Sequence, residues 1–368
     1  MSFDATALAN PITRLLRAYD PGHDLPALRL RFGGDLAELG SNEAVLGPSP
    51  RALKAMAESL PDVFRYPDPQ AGTLKHALAA KWQVDCAGIA FGNGSHELLM
   101  LLAQCFADPG TSVVFSQFGF AVFAIATAAA GATPICVTSL PGDHASAPYG
   151  HDLDALAAAV RADTRIVYLA NPNNPTGTWF DDAELDRFLA RVPMTCLVVV
   201  DEAYQEFVDA PGTSSAVRLL GRYPNLVVTR TFSKAYALAG LRIGYLLADE
   251  GVVGVLERLR ESFNVNALAQ VAALAALGDV AHLQKVCAWT RHERGWLAGE
   301  LSARGYRVLP SQTNFLLVDL GGDASGLEKH LFERGVIVRP MAGYGLGHCV
   351  RISLGTRSES ERLLAALS

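Results

Sequence analysis

Lys234 stands between a short polar turn and an apolar run in the segment TFSKAYALAGLRIGY, residues 231–245. The chain has 31 lysine and arginine residues together, and only six of them are lysine. Arginine keeps its proton in proteins, whereas a lysine amine can lose one and become a nucleophile. Ser233 and Arg242 add a hydroxyl and a permanent cation to the same segment. The segment therefore predicts a chemically reactive amine close to a fixed positive charge.

Three further segments place polar side chains after apolar runs. Asp201 ends the run CLVVV, where an ionised carboxylate is costly unless a cation or donor pairs with it; alternatively, it caps the next element. NPNNPTG, residues 171–177, predicts either an ordinary turn or asparagine amides that face a ligand oxygen. FGNGSHELL has glycines before a helix that begins at Ser95, which favours either a bound anion or a plain turn with a serine N-cap.

The order of these segments predicts how they meet. Six apolar runs end in polar or glycine-rich turns, and helical patterns lie between them: GIAFGNG, TSVVFSQ, TPICVTS, TRIVYLANPNNP, MTCLVVVDEAY and NLVVTRTFSK. Strands this apolar are expected in a sheet covered on both faces, so the alternation predicts a mainly parallel α/β sheet. Ligands bind beyond the carboxyl ends of such strands. The polar tips should therefore converge on one crevice, with the hydroxyl, amine and cation that a phosphorylated aldehyde cofactor would need.

The domain organisation follows from length and from a change of pattern. At 368 residues the chain is long for a single core. After RIGYLLADE the pattern shifts to long helices and then to strand-like segments around one helix. We expect an N-terminal arm over residues 1–30, a large domain over residues 31–260 whose first residues can pack with the small domain, and a small α+β domain over residues 261–368.

Residues 109–142 carry no charge and are long enough to span a bilayer. However, TSVVFS and TPICVT read as β-branched strands on either side of an alanine-rich helical piece, with Gly131 to end it. A buried strand–helix–strand unit is therefore favoured over a membrane span.

Composition narrows the partners. The net charge of -6 and pI near 5.9, with no basic run, argue against nucleic acid or an anionic membrane and favour a small molecule. The six cysteines and the scattered histidines have no metal-ligand or redox spacing, so we expect free thiols in a reducing compartment and no metal. The N-terminal segment is no secretory signal, and a cytoplasmic protein fits best.

NPNNPTG, VVVDEAY and TFSKAYALAGLRIG, in this order and at these separations, resemble the motifs of pyridoxal-phosphate aminotransferases of the aspartate-aminotransferase fold. The match extends to the histidinol-phosphate aminotransferase family through LGSNEAVLGPSP, FRYPDP, FGNGSHELL, GVIVRP and CVRISLGT, across nearly the whole chain. The resemblance implies a large domain with a mainly parallel sheet, a smaller α+β domain and a homodimer.

The resemblance also implies roles for individual residues. Lys234 would form a Schiff base with the cofactor aldehyde and move a proton, and Asp201 would pair with the pyridine nitrogen. Asn174 and Tyr204 would bond the ring hydroxyl oxygen. The other implied cofactor residues are Gly94, Ser95, His96, Phe118, Ser233 and Arg242, with Tyr66 reaching the phosphate in the neighbouring subunit. The implied substrate residues are Tyr19, Asn42, Arg339 and Arg351.

Three positions depart from the family pattern: Phe118 stands where tyrosine is usual, His96 stands where aspartate is usual, and NEAVLG lacks a proline. The expected reaction is ping-pong transfer of an amino group from L-histidinol phosphate to 2-oxoglutarate in histidine biosynthesis. The alternatives are an aromatic amino-acid aminotransferase, a decarboxylase of phosphothreonine type and a cofactor-sensing regulator. The last would need a DNA-binding domain for which the chain has no room.

Overall fold

The computed structural model describes residues 3–15 and 24–367. Within these residues the helices are Ala5–Leu8 (α1), Pro11–Leu15 (α2), Leu25–Phe32 (α3), Pro50–Ser59 (α4), Gly72–Trp82 (α5), Ser95–Phe106 (α6), Ala121–Ala129 (α7), Leu153–Ala158 (α8), Asp182–Leu189 (α9), Glu250–Leu256 (α10), Ala267–Gly278 (α11), Val280–Ala303 (α12), Ser325–Glu333 (α13) and Arg357–Ala366 (α14). The strands are Ala37–Glu38 (β1), Ile89–Gly92 (β2), Ser112–Ser116 (β3), Thr133–Val137 (β4), Thr164–Ala170 (β5), Leu197–Asp201 (β6), Leu226–Thr231 (β7), Gly244–Leu247 (β8), Arg307–Val308 (β9), Phe315–Asp319 (β10), Val336–Ile337 (β11), Arg339–Pro340 (β12) and Cys349–Ser353 (β13).

A seven-stranded sheet forms the centre of the large domain, in the order β2-β8-β7-β6-β5-β3-β4. The pairs β3–β4, β3–β5, β5–β6 and β6–β7 are parallel, and β8 runs antiparallel to both of its neighbours. The mainly parallel sheet expected from the alternating strand and helix patterns is confirmed. The carboxyl ends of β5, β6 and β7 consequently lie side by side.

Helices cover both faces of this sheet. One face packs against α4, α5, α8, α9 and α11, and the other face packs against α6, α7 and α10. Alternate residues of β6 divide between them, since Val198 and Val200 face the first layer while Val199 faces the second. Burial of both faces explains the continuous apolar runs of the central strands.

The uncharged segment 109–142 forms β3, α7 and β4, as the strand–helix–strand prediction required. β4 differs from the other strands because it lies at the edge of the sheet, and Thr133, Pro134 and Cys136 are exposed. No single helix among the described residues has the length and hydropathy for a membrane span. The bent pair α11 and α12, which meet at 80°, passes that test only when the two are taken together.

The C-terminal part contains a second sheet, in the order β12-β13-β10-β9, with antiparallel pairing throughout. Side chains of α12, α13 and α14 pack on it. β1 pairs in parallel with β11, and Ala37 and Leu39 lie in the same apolar core. Helix α11, by contrast, packs into the core of the large sheet through Ala269 and Ala273. A domain boundary at residue 260 stays a prediction.

Candidate active site

A cavity of about 480 Å³ opens where the carboxyl ends of β5, β6 and β7 meet the first turn of α6 and the second sheet. Its wall contains most of the residues that the sequence singled out, although they come from segments far apart in the chain. These residues are Asn42, Ser95, His96, Asn174, Asp201, Tyr204, Ser233, Lys234, Arg242, Arg339 and Arg351. The convergence expected from the strand order is therefore present.

Lys234 follows β7 and directs its amine into this cavity. Its Nζ lies 3.3 Å from the carbonyl oxygen of Asn42 and 5.7 Å from the centre of the Tyr204 ring. Burial and the positive charges of Arg351 and Arg242 lower the pKa of Lys234 to about 8, against the opposing charge of Glu43. At pH 7 about a tenth of the amine is therefore neutral, whereas an ordinary lysine is almost fully charged. The site thus supplies a usable nucleophile.

Asp201 is the last residue of β6 and is only 4% exposed. Burial raises the pKa of Asp201 to about 6, and the hydroxyl of Thr229, the backbone N–H of Ala203 and the charge of Lys234 oppose that rise. Thr229 Oγ1 donates to Asp201 Oδ1 at 2.9 Å. A neighbouring hydroxyl therefore provides the hydrogen-bond donor that this buried carboxylate needs.

The start of α6 forms an anion-binding corner. Gly94 occupies the N-cap position with φ of +83°, and a Cβ there would come 2.6 Å from Arg242 Nη2. Ser95 is the first helical residue, so the alternative of a serine N-cap is wrong. Arg242 Nη2 donates to the carbonyl oxygen of Asn93 at 3.2 Å, and Nη1 lies 3.5 Å from Ser233 Oγ. A guanidinium, a hydroxyl and a helix N-terminus face the same space.

His96 lies on the cavity wall in the first turn of α6. Burial, followed by the positive charge of Arg242, lowers the pKa of His96. At neutral pH the imidazole is therefore mostly uncharged, so the positive charge at this corner comes from Arg242.

Tyr204 and Asn42 connect the cavity to the second sheet. Asn42 Nδ2 donates to the Tyr204 hydroxyl at 3.0 Å. The Asn42 backbone N–H donates to Ser353 Oγ, and Ser353 Oγ donates to Asn42 Oδ1, both at 2.8 Å. Asn42 has a φ of 57°, a left-handed conformation that asparagine adopts more readily than most residues. The position of Tyr204 thus depends on a strand of the other sheet.

Two arginines form the far end of the cavity. Arg339 in β12 pairs in register with Arg351 in β13. Arg351 Nη1 donates to Asn174 Oδ1 at 2.6 Å, and Nη2 donates to the carbonyl oxygen of Gly40 at 2.8 Å. This fixed guanidinium suits a carboxylate or a phosphate.

Three of the predicted residues do not lie on the wall, and a fourth falls outside the described residues. Phe118 packs edge-on against Tyr149 with ring centres 5.5 Å apart, and Phe120 lines the cavity instead. Gly94 lies just behind the wall, beside Arg242. Tyr66 is 83% exposed and stacks on Phe263 with ring centres 4.8 Å apart. Tyr19 is outside the described residues. A cofactor role for Phe118 and Tyr66 stays a prediction.

The sequence interpretation missed several wall residues, among them Glu43, Phe120, Thr231 and Tyr344. Tyr344 comes from the second sheet's AGYGLG loop, and its hydroxyl accepts from the backbone N–H of Ala121 at 3.3 Å. An aromatic residue between the glycines of this loop is the signal that could have pointed to Tyr344. Nothing in the sequence marks Phe120, since it is one of several aromatic residues in an uncharged segment.

A cluster elsewhere combines Asp319, His348 and Cys349, whose potential metal-binding atoms lie within 4.8 Å of one another. Residue spacing gave no sign of it. Arg307 Nη1 donates to Asp319 at 2.7 Å, and His348 Nε2 lies 2.9 Å from the Tyr149 hydroxyl. Neighbouring side chains therefore already engage two of these groups, and we assign no metal to them.

Comparison with known proteins identifies the family. The protein-family model that describes aminotransferases of class I and II matches residues 35–367 of this chain. The chain belongs to this family. It is 44% identical over 367 residues to histidinol-phosphate aminotransferase 2 of Pseudomonas aeruginosa, covering 99% of this chain and 98% of the relative. It is 45% identical to the histidinol-phosphate aminotransferase of an Anaeromyxobacter species, covering 98% of each. The resemblance to that group is confirmed.

A solved structure supports the same assignment. Histidinol-phosphate aminotransferase from Sinorhizobium meliloti, in complex with pyridoxal 5'-phosphate, has a TM-score of 0.87 at 33% identity, covering 98% of this chain and 96% of the other. The chain is an aminotransferase of a pyridoxal-phosphate-dependent family, and the aspartate-aminotransferase-like fold expected from the motifs is confirmed.

The residues of this site fit that cofactor. Lys234 provides an amine of lowered pKa for an aldehyde, and Asp201 provides a buried carboxylate for a ring nitrogen. The corner formed by Gly94, Ser233 and Arg242 would hold a phosphate. A Cβ at position 94 would collide with the Arg242 guanidinium and narrow this corner. These groups line one cavity, apart from Gly94 directly behind the wall.

Proposed function

We propose that the chain transfers the amino group of L-histidinol phosphate to 2-oxoglutarate, giving imidazole-acetol phosphate and L-glutamate, in histidine biosynthesis. The observation that carries the proposal is the joint presence, on one cavity wall, of the Lys234 amine and the two guanidinium groups of Arg339 and Arg351. The names of relatives 44–45% identical over nearly the whole chain support this substrate.

Pyridoxal phosphate, when bound, supplies an aldehyde that takes up the amino group and a ring that accepts electrons. The protein's own groups supply binding and proton transfer. Lys234 would accept and return the proton at the substrate carbon, which its lowered pKa favours near neutral pH. Asp201 would hold a proton on the ring nitrogen, and Tyr204 with Asn174 would bond the ring hydroxyl oxygen.

The two substrates place an anion at the same end of the cavity. Histidinol phosphate carries a phosphate, and 2-oxoglutarate carries a carboxylate. The guanidinium of Arg351 can bind either group, because its forked N–H geometry matches both. Asn42 and Tyr344 lie on the same wall and would limit the shape of the side chain that enters. Tyr19 would complete this pocket.

We also propose that the enzyme is a homodimer. Leu60, Val63, Phe64 and Tyr66 form a largely exposed apolar segment, and Tyr66 stacks on Phe263, which is 39% exposed. An apolar surface of this kind is typical of a protein interface. A second copy would cover it and bring Tyr66 to the cofactor phosphate of the partner subunit. Size-exclusion chromatography with light scattering, at micromolar protein concentration, should give a molar mass twice that of one chain.

The six cysteines are all free, which supports a reducing compartment such as the cytoplasm.

The substrate is tested by measuring glutamate formation with the holoenzyme, 2-oxoglutarate and one donor at a time. L-Histidinol phosphate should exceed L-phenylalanine by about a hundredfold in kcat/KM, because a phosphate offers Arg339 and Arg351 more negative charge and more acceptor oxygens than the single carboxylate of phenylalanine does. Preference for phenylalanine would instead indicate an aromatic aminotransferase. With L-threonine O-3-phosphate as the added amino acid, release of carbon dioxide without glutamate would indicate a decarboxylase of phosphothreonine type. Lys234→Ala is the matched inactive control.

A further inference from the structure

Thr229 lies directly across from Asp201 in the large sheet. β6 and β7 pair in parallel with Asp201 opposite Thr229, so the two side chains share one face. Thr229 is fully buried, and its Oγ1 donates to Asp201 Oδ1 at 2.9 Å. The contact therefore follows from the strand register and not from a long mobile side chain.

The surroundings hold the Thr229 hydroxyl in this role. The neighbours on the same face include Val199 and Val227, and the residue paired with Thr229 on the other side is Leu246, all fully buried. A buried hydroxyl without a partner is costly in such surroundings, and a β-branched side chain has few rotamers to choose from. The Asp201 carboxylate is the partner that the geometry provides.

This hydrogen bond acts on the charge of Asp201. Burial favours the protonated carboxyl, whereas a donor to the carboxylate favours the ionised form. Only an ionised carboxylate can pair with a protonated ring nitrogen of the cofactor. We propose that Thr229 is a positioning residue for pyridoxal phosphate, whose hydroxyl fixes one Asp201 oxygen and keeps the carboxylate ionised for the ring nitrogen.

The test uses cofactor binding and does not depend on which amino donor the enzyme prefers. Apoenzyme is titrated with pyridoxal phosphate between pH 5.5 and 8.5, with tryptophan fluorescence as the signal. Thr229→Val keeps the shape and removes the hydroxyl, while Thr229→Ser keeps the hydroxyl. Thr127→Val is a matched control, because Thr127 is equally buried and its hydroxyl donates to the Phe123 carbonyl oxygen at 2.7 Å, within α7.

At pH 7, Thr229→Val should bind pyridoxal phosphate about tenfold more weakly, the size expected for a lost hydrogen bond to a charged group. The pH below which binding declines should also rise, because Asp201 without its donor takes up a proton at higher pH. Thr229→Ser and Thr127→Val should stay within about twofold of the natural protein at every pH, since neither loses a donor to a charged group.

Two results would overturn the proposal. One is a Thr229→Val protein with natural affinity and an unchanged pH profile. The other is a Thr229→Ser protein as impaired as Thr229→Val, which would mean that packing matters and the hydroxyl does not. If Thr229→Val does not fold, Thr229→Ala takes its place, with thermal unfolding of each apoenzyme as the check on folding.

Discussion

Arg351 Nη1 lies 2.6 Å from Asn174 Oδ1, and this hydrogen bond joins the second sheet to the loop that follows β5. The other terminal nitrogen of Arg351 donates to the carbonyl oxygen of Gly40 at 2.8 Å. The guanidinium is thereby held from two sides by groups of separate segments. These two contacts fix the orientation of the guanidinium, whose planar fork matches a carboxylate or a phosphate.

Arg351→Lys should raise the KM for 2-oxoglutarate by about tenfold or more, because an ammonium cannot reproduce the two-sided fork. The effect on kcat should be smaller, since the amine and the carboxylate at the reacting end remain. Steady-state kinetics with varied 2-oxoglutarate measure both constants. Arg304→Lys is the matched control, because Arg304 directly follows α12 and pairs with Glu300 of that helix at 2.7 Å, away from the cavity. Equal KM values for the two variants would contradict the assignment.

Lys234→Arg and Arg242→Lys should have unequal effects, although each exchanges one cation for another. Lys234→Arg should lower kcat by about a thousandfold or more, because arginine cannot release a proton at neutral pH. Arg242→Lys should mainly weaken pyridoxal phosphate binding, since the contacts of Arg242 to Asn93 and Ser233 lie at the anion corner. Cofactor titration and turnover at saturating cofactor separate the two. A lost kcat in Arg242→Lys at full occupancy would contradict this division.

The sequence predicted the reactive residues of this site better than it predicted the other residues that line the cavity. Motif residues such as Asp201 and Lys234 follow apolar strands, and the parallel pairing of β5, β6 and β7 necessarily brings those strand ends together. The pairing of β1 with β11 and the packing of α11 on the large sheet could not be deduced, because both depend on contacts between segments hundreds of residues apart.

Thr229 illustrates the same difference at one residue. In the sequence, Thr229 is a β-branched residue within a predicted strand. Because β-branched residues are common in strands, strand packing alone explains a threonine at this position. Its contact with Asp201 exists only because β6 and β7 pair in one particular register. The prediction that β4 is buried was wrong for a similar reason. Strand order, which the sequence does not show, decides which apolar strand lies at the edge of the sheet.

The rate at which apoenzyme takes up pyridoxal phosphate covalently should increase with pH around a midpoint near 8. The pKa of Lys234 is lowered to about 8, so the neutral amine predominates above this pH and is lost as the pH falls below it. An ordinary lysine would place the midpoint above pH 10. Stopped-flow absorbance at fixed cofactor concentration measures the rate. Arg351→Met should move the midpoint upward, because it removes a positive charge that favours the neutral amine; an unchanged midpoint would contradict the electrostatic cause.

Arg230→Met should destabilise the fold strongly. Arg230 is 3% exposed, and its terminal nitrogens lie 2.5 Å from a carboxylate oxygen of Glu202 and 2.5 Å from one of Glu206. Its guanidinium carbon lies 4.8 Å from the centre of the Trp82 ring. Removing the cation leaves two buried carboxylates unpaired, which costs about 3–5 kcal/mol of unfolding free energy. Urea denaturation at pH 7 measures the loss.

The loss from Arg230→Met should shrink at low pH and grow as the pH rises. Burial raises the pKa of Glu202 in the natural protein, and the charge of Arg230 opposes that rise. Removing the arginine should therefore raise this pKa further, so the folded variant is favoured while the carboxyl is protonated and loses stability as the pH rises. The triple variant Glu202→Gln, Glu206→Gln, Arg230→Met should recover part of the stability, because its buried groups carry no charge. Arg222→Met, which removes an exposed partner of Asp186, should change stability little. A pH-independent loss would mean that Arg230 acts by packing against Trp82 and not by its charge.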